Sequence, residues 1–371
     1  MNSIISFFTG AGFLDLGFEK AGFRIDMVNE YSSSFLDCYL HSRGKLGSPR
    51  PAYGHHLGSV EEFEGGEVHD ILQMVMDDNR ACGRKVGFVG GPPCPDFSIA
   101  GKNAGAEGDN GRLSATYFSL IEKFRPDFFI FENVQGLWST KVHRQFYDAM
   151  KERMEACGYT LHDRLVNALH YGVGQDRSRI FLFGALGGPE GLEFPWEASM
   201  PYSDAVFDSP WPREDEFAED VETDCPSPDI PEELTVKHWF DRNDVENHPN
   251  GHMAFEPISK KFETVPEGAV KRKSFKRLHR WRYSPTAAYG NNEVHLHPWK
   301  ARRISVAEAM AIQSLPKEFE LPSTMTLSAC FKTIGNGVPF LAAKGLATSV
   351  AAYLDAAAEW KEEAPLLVAA E

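Results

Sequence analysis

Through the first 185 residues, short apolar runs alternate with segments of helical spacing, and this rhythm constrains the chain more than any other feature. Ile4 to Phe8, Ile25 to Val28, Gly87 to Val89, Phe128 to Phe131 and Arg179 to Phe183 read as strands. Phe13 to Ala21, Ala115 to Phe124 and Val142 to Cys157 read as helices. Strands alternating with helices imply βαβ units and a mostly parallel sheet, so the fold class is α/β. Open sheets of this kind hold ligands at the carboxyl ends of their strands. The residues just after the apolar runs are the candidates for function.

The 371 residues leave room for about two domains at ~150 residues each, and 42% hydrophobic residues suffice for a core. Periodicity fades between about Gly187 and Pro298, where Pro, Gly and acids dominate. It returns at Ser305 to Ser314, and Leu341 to Trp360 reads as a closing helix. The expected organisation is a first part at 1–186, a smaller irregular domain inserted at 187–300, and a return to the first domain at 301–371. No run approaches the ~18 uninterrupted apolar residues of a membrane span, and no basic leader precedes Ile4. A soluble, cytoplasmic chain without a membrane partner is expected. Its six cysteines show no C-x-x-C pair and no histidines at ligand spacing, so neither a disulfide framework nor a metal site is expected.

The net charge of −15 is unevenly placed. Glu190 to Glu233 holds fifteen acids against Arg213 alone, and seven prolines punctuate it. By contrast Lys271 to Arg282 carries seven bases, two aromatics and no acid. A local basic surface is what phosphates feel, so an acidic total does not exclude nucleic acid. The acidic stretch could face away from a polyanion, mimic phosphate or form a flexible loop; the loop is the simplest expectation.

Several motifs follow apolar runs. Phe8-Thr9-Gly10-Ala11-Gly12-Phe13 leads from a strand through glycines into a helix, and Asn29-Glu30 follows the next strand. Gly90-Gly91-Pro92-Pro93-Cys94-Pro95 brackets a thiol with prolines, which stiffen the backbone. The glycines from Gly101 to Gly111 suggest a lid. Glu132-Asn133-Val134 ends the apolar run Phe128 to Phe131, and Gln175-Asp176-Arg177-Ser178-Arg179 precedes another. Taken singly, the glycine turn, the strand-end acid and the arginine pair are as well explained by a turn, a cap or a surface ion pair, whereas the usual reading of a cysteine as a small core hydrophobe fits Cys38, Cys82 and Cys157 far better than Cys94.

Their order, continued by Arg302 to Pro316 (RRISVAEAMAIQSLP) and Ile334 to Pro339 (IGNGVP), resembles the DNA (cytosine-5)-methyltransferases over roughly residues 1–186 and 281–355. The resemblance implies a Rossmann-like sheet that uses S-adenosylmethionine, with an inserted target-recognition domain reading bases in the major groove. Its product would be S-adenosylhomocysteine, with no metal.

Carbon 5 of cytosine is a poor nucleophile. A thiolate adding at carbon 6 makes carbon 5 electron-rich, which is covalent catalysis. The resemblance assigns that thiol to Cys94, protonation at N3 to Glu132, the hold on O2 to Arg179, and loop and phosphate support to Arg177. It places S-adenosylmethionine against Phe8, Gly10, Ala11, Gly12, Glu30, Val60, Pro93, Leu113, Asn336 and Val338. Such enzymes flip the target base out of the duplex, and Ser98 would close on the vacated position. Lys271, Arg272, Lys273, Lys276 and Arg277 would meet phosphates, which position without specifying.

The implied partner is double-stranded DNA, with a monomer of prokaryotic or phage type paired with a restriction endonuclease. Three positions depart from the family's pattern: Pro95 where Gln is common, Ser59 in Gly58-Ser59-Val60 where an aspartate is usual, and Phe13 where glycine is common. Ser59 also leaves open an altered methyl donor. The rival readings are a tRNA cytosine-5 methyltransferase with the same core and a catalytically silent DNA-binding homologue.

Overall fold

The structure, a computed structural model, describes residues 1–93, 109–272, 274–287, 289 and 294–368. Strands are β1 (Ser3–Phe7), β2 (Arg24–Glu30), β3 (His55–Leu57), β4 (Val86–Gly90), β5 (Phe128–Val134), β6 (Tyr159–Asn167) and β7 (Ser178–Leu186). Helices are α1 (Phe13–Lys20), α2 (Ser33–Lys45), α3 (Gly66–Ala81), α4 (Asp109–Phe124), α5 (Gln135–Ser139), α6 (Lys141–Ala156), α7 (Val236–Arg242), α8 (Lys261–Thr264), α9 (Val306–Ile312), α10 (Leu327–Asn336) and α11 (Phe340–Val368).

The sheet runs β3-β2-β1-β4-β5-β7-β6, parallel from β3 to β5. β7 is antiparallel to both β5 and β6. Successive residues on a strand point to opposite faces, and here both faces are covered. Ile4, Val28, Ile130 and Phe183 pack under Ala343, Leu346 and Val350 of α11. Ile5, Phe7, Phe129 and Phe131 meet Leu72 of α3 and Tyr117, Phe118 and Ile121 of α4. A third cluster joins Phe13 and Leu16 of α1 to α7, α9 and α10.

Gly17 permits the close crossing of α1 and α11, since a Cβ there would lie 2.5 Å from the Ala343 backbone. The stretch 327–360 is long and apolar enough to cross a bilayer, yet most of its apolar window is buried inside the protein.

The structure adds elements that the periodicity did not show. β3 is three residues of His-His-Leu at the sheet's end, and β6 is mostly half-buried and mixes His, Asp and Arg into its sequence. Neither shows a clean alternation. α2 and α3 likewise fill the interval between β2 and β4. β2 and β5 also run farther than their apolar cores, so Glu30 and Glu132 lie within the last rungs of their strands.

Candidate active site

The site is built at the carboxyl ends of β1, β2, β4 and β5. After β1 the chain turns through Phe8, Gly10 and Gly12 with φ of 56°, 56° and 79°, the left-handed region that glycine tolerates and phenylalanine seldom adopts. Three side chains hold this turn. Asp15 of α1, fully buried, accepts from Ser6 Oγ at 2.6 Å and Thr9 Oγ1 at 2.5 Å. Arg43 of α2 donates to the Gly12 carbonyl at 2.8 Å. Glu30 accepts from the Gly10 N–H at 2.7 Å and the Ser32 N–H at 2.8 Å. Burial pushes the carboxyls of Asp15 and Glu30 up despite those donors. Asp15 went unread in the sequence, although an acid inside the apolar run Phe13-Leu14-Asp15-Leu16 was the available signal.

Beside Glu30 lie two uncovered apolar side chains, Tyr31 at 79% exposure and Leu57, the β3 residue paired with Glu30, at 51%. A carboxylate flanked by an aromatic and an aliphatic side chain suits a nucleoside, with ribose hydroxyls on the acid and a flat ring against the apolar pair. Val60 is 2% exposed, packed with Phe7 and Phe63. Ser59 caps the turn Val60–Glu64 in a capping box with Glu62. Its hydroxyl is therefore in structural use, and neighbouring Glu61 pairs with Arg112 at 3.0 Å. Leu113 is half-buried on α4, and Pro93 is half-buried after β4.

The distant Ile334 to Pro339 segment returns to this turn. A Cβ on Gly337 would lie 2.1 Å from the Phe13 ring, so Phe13 fills the space between the two segments. Asn336 is exposed at the end of α10 and Val338 is buried in the core. Ala11 is buried beside α10.

At the end of β5, Glu132 is 8% exposed and its Oε1 lies 3.0 Å from Arg179 Nε. The register explains the pair: Glu132 faces Phe181 and Val134 faces Arg179 across the antiparallel ladder, so acid and base are diagonal neighbours on one face. Burial pushes the Glu132 carboxyl up, while Arg179 and Arg177 pull against it. A Cβ on Gly91 would lie 2.7 Å from Glu132 Oε2, which sets the chain after β4 directly against this acid. Cys94 and Ser98 lie outside the described residues.

Arg177 differs from its expected role. At 1% exposure it donates to the carbonyls of Ala287 at 3.2 Å and Gly335 at 2.9 Å, out of reach of any phosphate. It ties β7 to the end of α10 beside Asn336, and so positions the site from within. Gln175 assists by accepting from the Ala287 N–H at 3.1 Å.

The basic run is also divided. Arg277 is fully buried, with its guanidinium donating to the carbonyls of Phe262, Val265, His297 and Lys300 and stacked 3.7 Å from the Phe217 ring centre. Expected to meet phosphate, it is instead a structural pin, because its donors are consumed by backbone. Lys271 and Arg272 are exposed and Lys276 is half-exposed, and among the described residues none of the three makes an ion pair. Lys273 lies outside the described residues.

The acidic stretch is an ordered strap laid along this run rather than a loose loop. Asp215 and Glu267 exchange backbone hydrogen bonds at 3.0 and 2.9 Å. Asp215 also holds His279 at 2.9 Å, Thr223 accepts from Trp281 Nε1 at 3.1 Å, and Pro212 accepts from Arg282 at 3.3 Å. Upstream, Phe194 and Trp196 enter the main core.

Among the described residues no group of three or more His, Cys, Asp or Glu is arranged to hold a metal ion.

Comparison with known proteins gives the family of the chain. The family model of C-5 cytosine-specific DNA methylases matches residues 2–352. Type II methyltransferase M.NmeDI of Neisseria meningitidis serogroup C is 53% identical over 356 residues, covering 95% of this chain and 84% of its own. M.FnuDI of Fusobacterium nucleatum is 28% identical, covering 91% and 90%. Among solved structures, a prophage-encoded DNA modification methyltransferase of E. coli superposes with a TM-score of 0.62 at 19% identity, over 96% of this chain and 100% of that one. DNMT2 of Spodoptera frugiperda gives 0.57 at 15%, over 95% and 100%. These two likenesses carry the fold alone. With the family model spanning nearly the whole chain, the protein belongs to the C-5 cytosine-specific DNA methylases and is a DNA cytosine-5 methyltransferase.

Proposed function

We propose that the chain methylates carbon 5 of a cytosine flipped out of duplex DNA, with Cys94 as nucleophile and Glu132 as the acid at N3. The observation that carries this is the buried Glu132–Arg179 pair at the end of β5, set against the chain that leads from Gly91 to Cys94. The Cys94 thiolate adds to carbon 6 as Glu132 gives its proton to N3, and carbon 5 becomes the nucleophile. S-adenosylmethionine, when bound, supplies the electrophilic methyl group. Loss of the carbon 5 proton to water in the pocket then restores the 5,6 double bond and expels the Cys94 thiolate, and N3 returns its proton to Glu132. Arg179 serves twice, holding Glu132 in place and offering its remaining N–H groups to the cytosine O2.

The residues fit the cofactor. Glu30 takes the ribose, Tyr31 and Leu57 flank the ring, and the turn from Phe8 to Gly12 with Asn336 and Val338 encloses the rest. No metal is required for this chemistry.

Residues 187–300 are read as the target-recognition domain between catalytic parts at 1–186 and 301–371, with Lys271, Arg272 and Lys276 on phosphates. The type II relatives support pairing with a restriction endonuclease, and a monomer acting inside the cell, on nucleoid DNA, suffices. Bisulfite sequencing of duplex DNA exposed to the protein and S-adenosylmethionine tests the reading. Protected cytosines within one short sequence are expected, and conversion at every cytosine would overturn it.

A further inference from the structure

We propose that Ile258 is an apolar contact to the DNA duplex, carried at a tip between phosphate-binding lysines. Of the described large hydrophobic residues it is the most exposed, at 89%. Single exposed hydrophobics are common on proteins, so the setting decides.

That setting is basic. Lys260 and Lys261 follow after Ser259 and are exposed. Lys261 Nζ lies 4.9 Å from the Phe275 ring centre, which sets the tip against the basic run that holds Lys271, Arg272 and Lys276. Glu256 and Glu263 are the acids of the same segment, outnumbered by these five bases. Phosphates attract such a surface, and an apolar side chain among the bases can meet a thymine methyl or a sugar.

The tip is also held in place. Ser259 Oγ accepts from the Lys261 N–H at 3.3 Å, and the Ser259 carbonyl from the Phe262 N–H at 3.1 Å. Phe262 is 1% exposed in a small core with Val265, Ala269 and Leu296. A contact mounted on a packed base loses little freedom on binding.

Finally, the tip is tied to the catalytic side. Phe255, three residues earlier, stacks on Phe331 of α10 with ring centres 5.5 Å apart and planes at 22°. Three residues span at most about 11 Å. α10 rises only ~7.5 Å from Phe331 to Asn336. One duplex can therefore meet the tip and the active site together.

The proposal rests on duplex DNA as the substrate, and kinetics separate the two. Ile258→Asp should raise KM for DNA at least tenfold while KM for S-adenosylmethionine and Tm stay unchanged. Ile258→Ala should weaken DNA binding several-fold with the same slope of log affinity against log salt. Lys261→Ala should lower that slope by about one. Wild-type DNA kinetics in Ile258→Asp would overturn the proposal, as would an effect confined to concentration-dependent self-association, which would make the tip a contact between copies. Failure of the wild-type protein to methylate any duplex would instead remove the substrate reading, and the proposal with it.

Discussion

Arg179 Nε lies 3.0 Å from Glu132 Oε1, and the two side chains come from neighbouring antiparallel strands at the mouth of the sheet. Burial raises the Glu132 carboxyl and the guanidinium opposes that rise. The proton is thus kept to higher pH than on an ordinary glutamate, and activity should fall on the alkaline side as it is lost. Replacing Arg179 with Gln removes the opposing charge, so this descending limb should move to higher pH while kcat drops. Glu132→Gln should lower kcat by about 10²–10⁴. A pH profile of kcat/KM for each variant checks both, and a limb moving downward in Arg179→Gln would show that the pair does not set it.

Cys94→Ala should abolish methyl transfer while duplex DNA and S-adenosylmethionine still bind, because the substitution removes the bond-forming atom and little else. Wild-type protein should form a denaturation-resistant complex with 5-fluorocytosine DNA, since fluorine cannot leave as the carbon 5 proton does. The variant should not. Retained activity in Cys94→Ala would end the covalent mechanism.

Arg277 and Lys271 stand six residues apart in one basic run, yet their substitutions should separate cleanly. Arg277→Ala strands four backbone carbonyls in a buried site and empties the face of Phe217. Burial already pulls this guanidinium down to about 10, a sign of how dry the site is. A loss of about 3 kcal/mol or more in denaturant unfolding is expected. Lys271→Ala and Arg272→Ala should leave unfolding unchanged and each reduce the salt slope of DNA binding by about one.

The contrast shows where the sequence was legible. The α/β sheet could be read because β1, β4 and β5 are continuous apolar runs buried on both faces. Glu132 and Glu30 could be placed because they end such runs. A charge pattern alone, however, does not say which side chains a neighbouring segment will cover. The strap from Pro212 to Thr223 has no periodicity, and it meets Arg280 and Arg282 through the carbonyls of Val221 and Pro212, His279 and Trp281 through the side chains of Asp215 and Thr223, and Arg277 through the Phe217 ring, a mixed fit that composition does not encode. Seven bases therefore read as one phosphate surface, while several are internal fasteners. The buried tie made by Arg177 escaped for the same reason, since its partners Ala287 and Gly335 are more than a hundred residues away.

Glu308 offers a test of how far the support beneath the site extends. It is 2% exposed, closes a capping box with Ser305 at the start of α9, and accepts from Arg302 at 2.8 and 2.6 Å and lies 3.4 Å from His297. Burial pushes its carboxyl up, and His297 with Arg302 outweigh that, holding it well below the ordinary range. Its stabilisation is therefore complete above the unfolded value of ~4.3 and is lost as pH falls through the lower folded value. Glu308→Gln keeps the shape but leaves Arg302 without its counter-charge. Because Arg302 keeps 26% exposure, the cost should fall near the low end for a broken buried pair, about 3 kcal/mol at pH 7. The gap between wild type and variant should narrow as pH falls below ~4.3, because the unfolded wild-type chain then takes up a proton that the folded one does not. α9 runs on to Gln313, which donates to the Ile334 carbonyl at 2.7 Å and so holds the segment containing Asn336. KM for S-adenosylmethionine should therefore rise in Glu308→Gln at temperatures well below its Tm. A stability gap that stays constant between pH 7 and pH 3 would assign the effect to packing at the cap rather than to the charge.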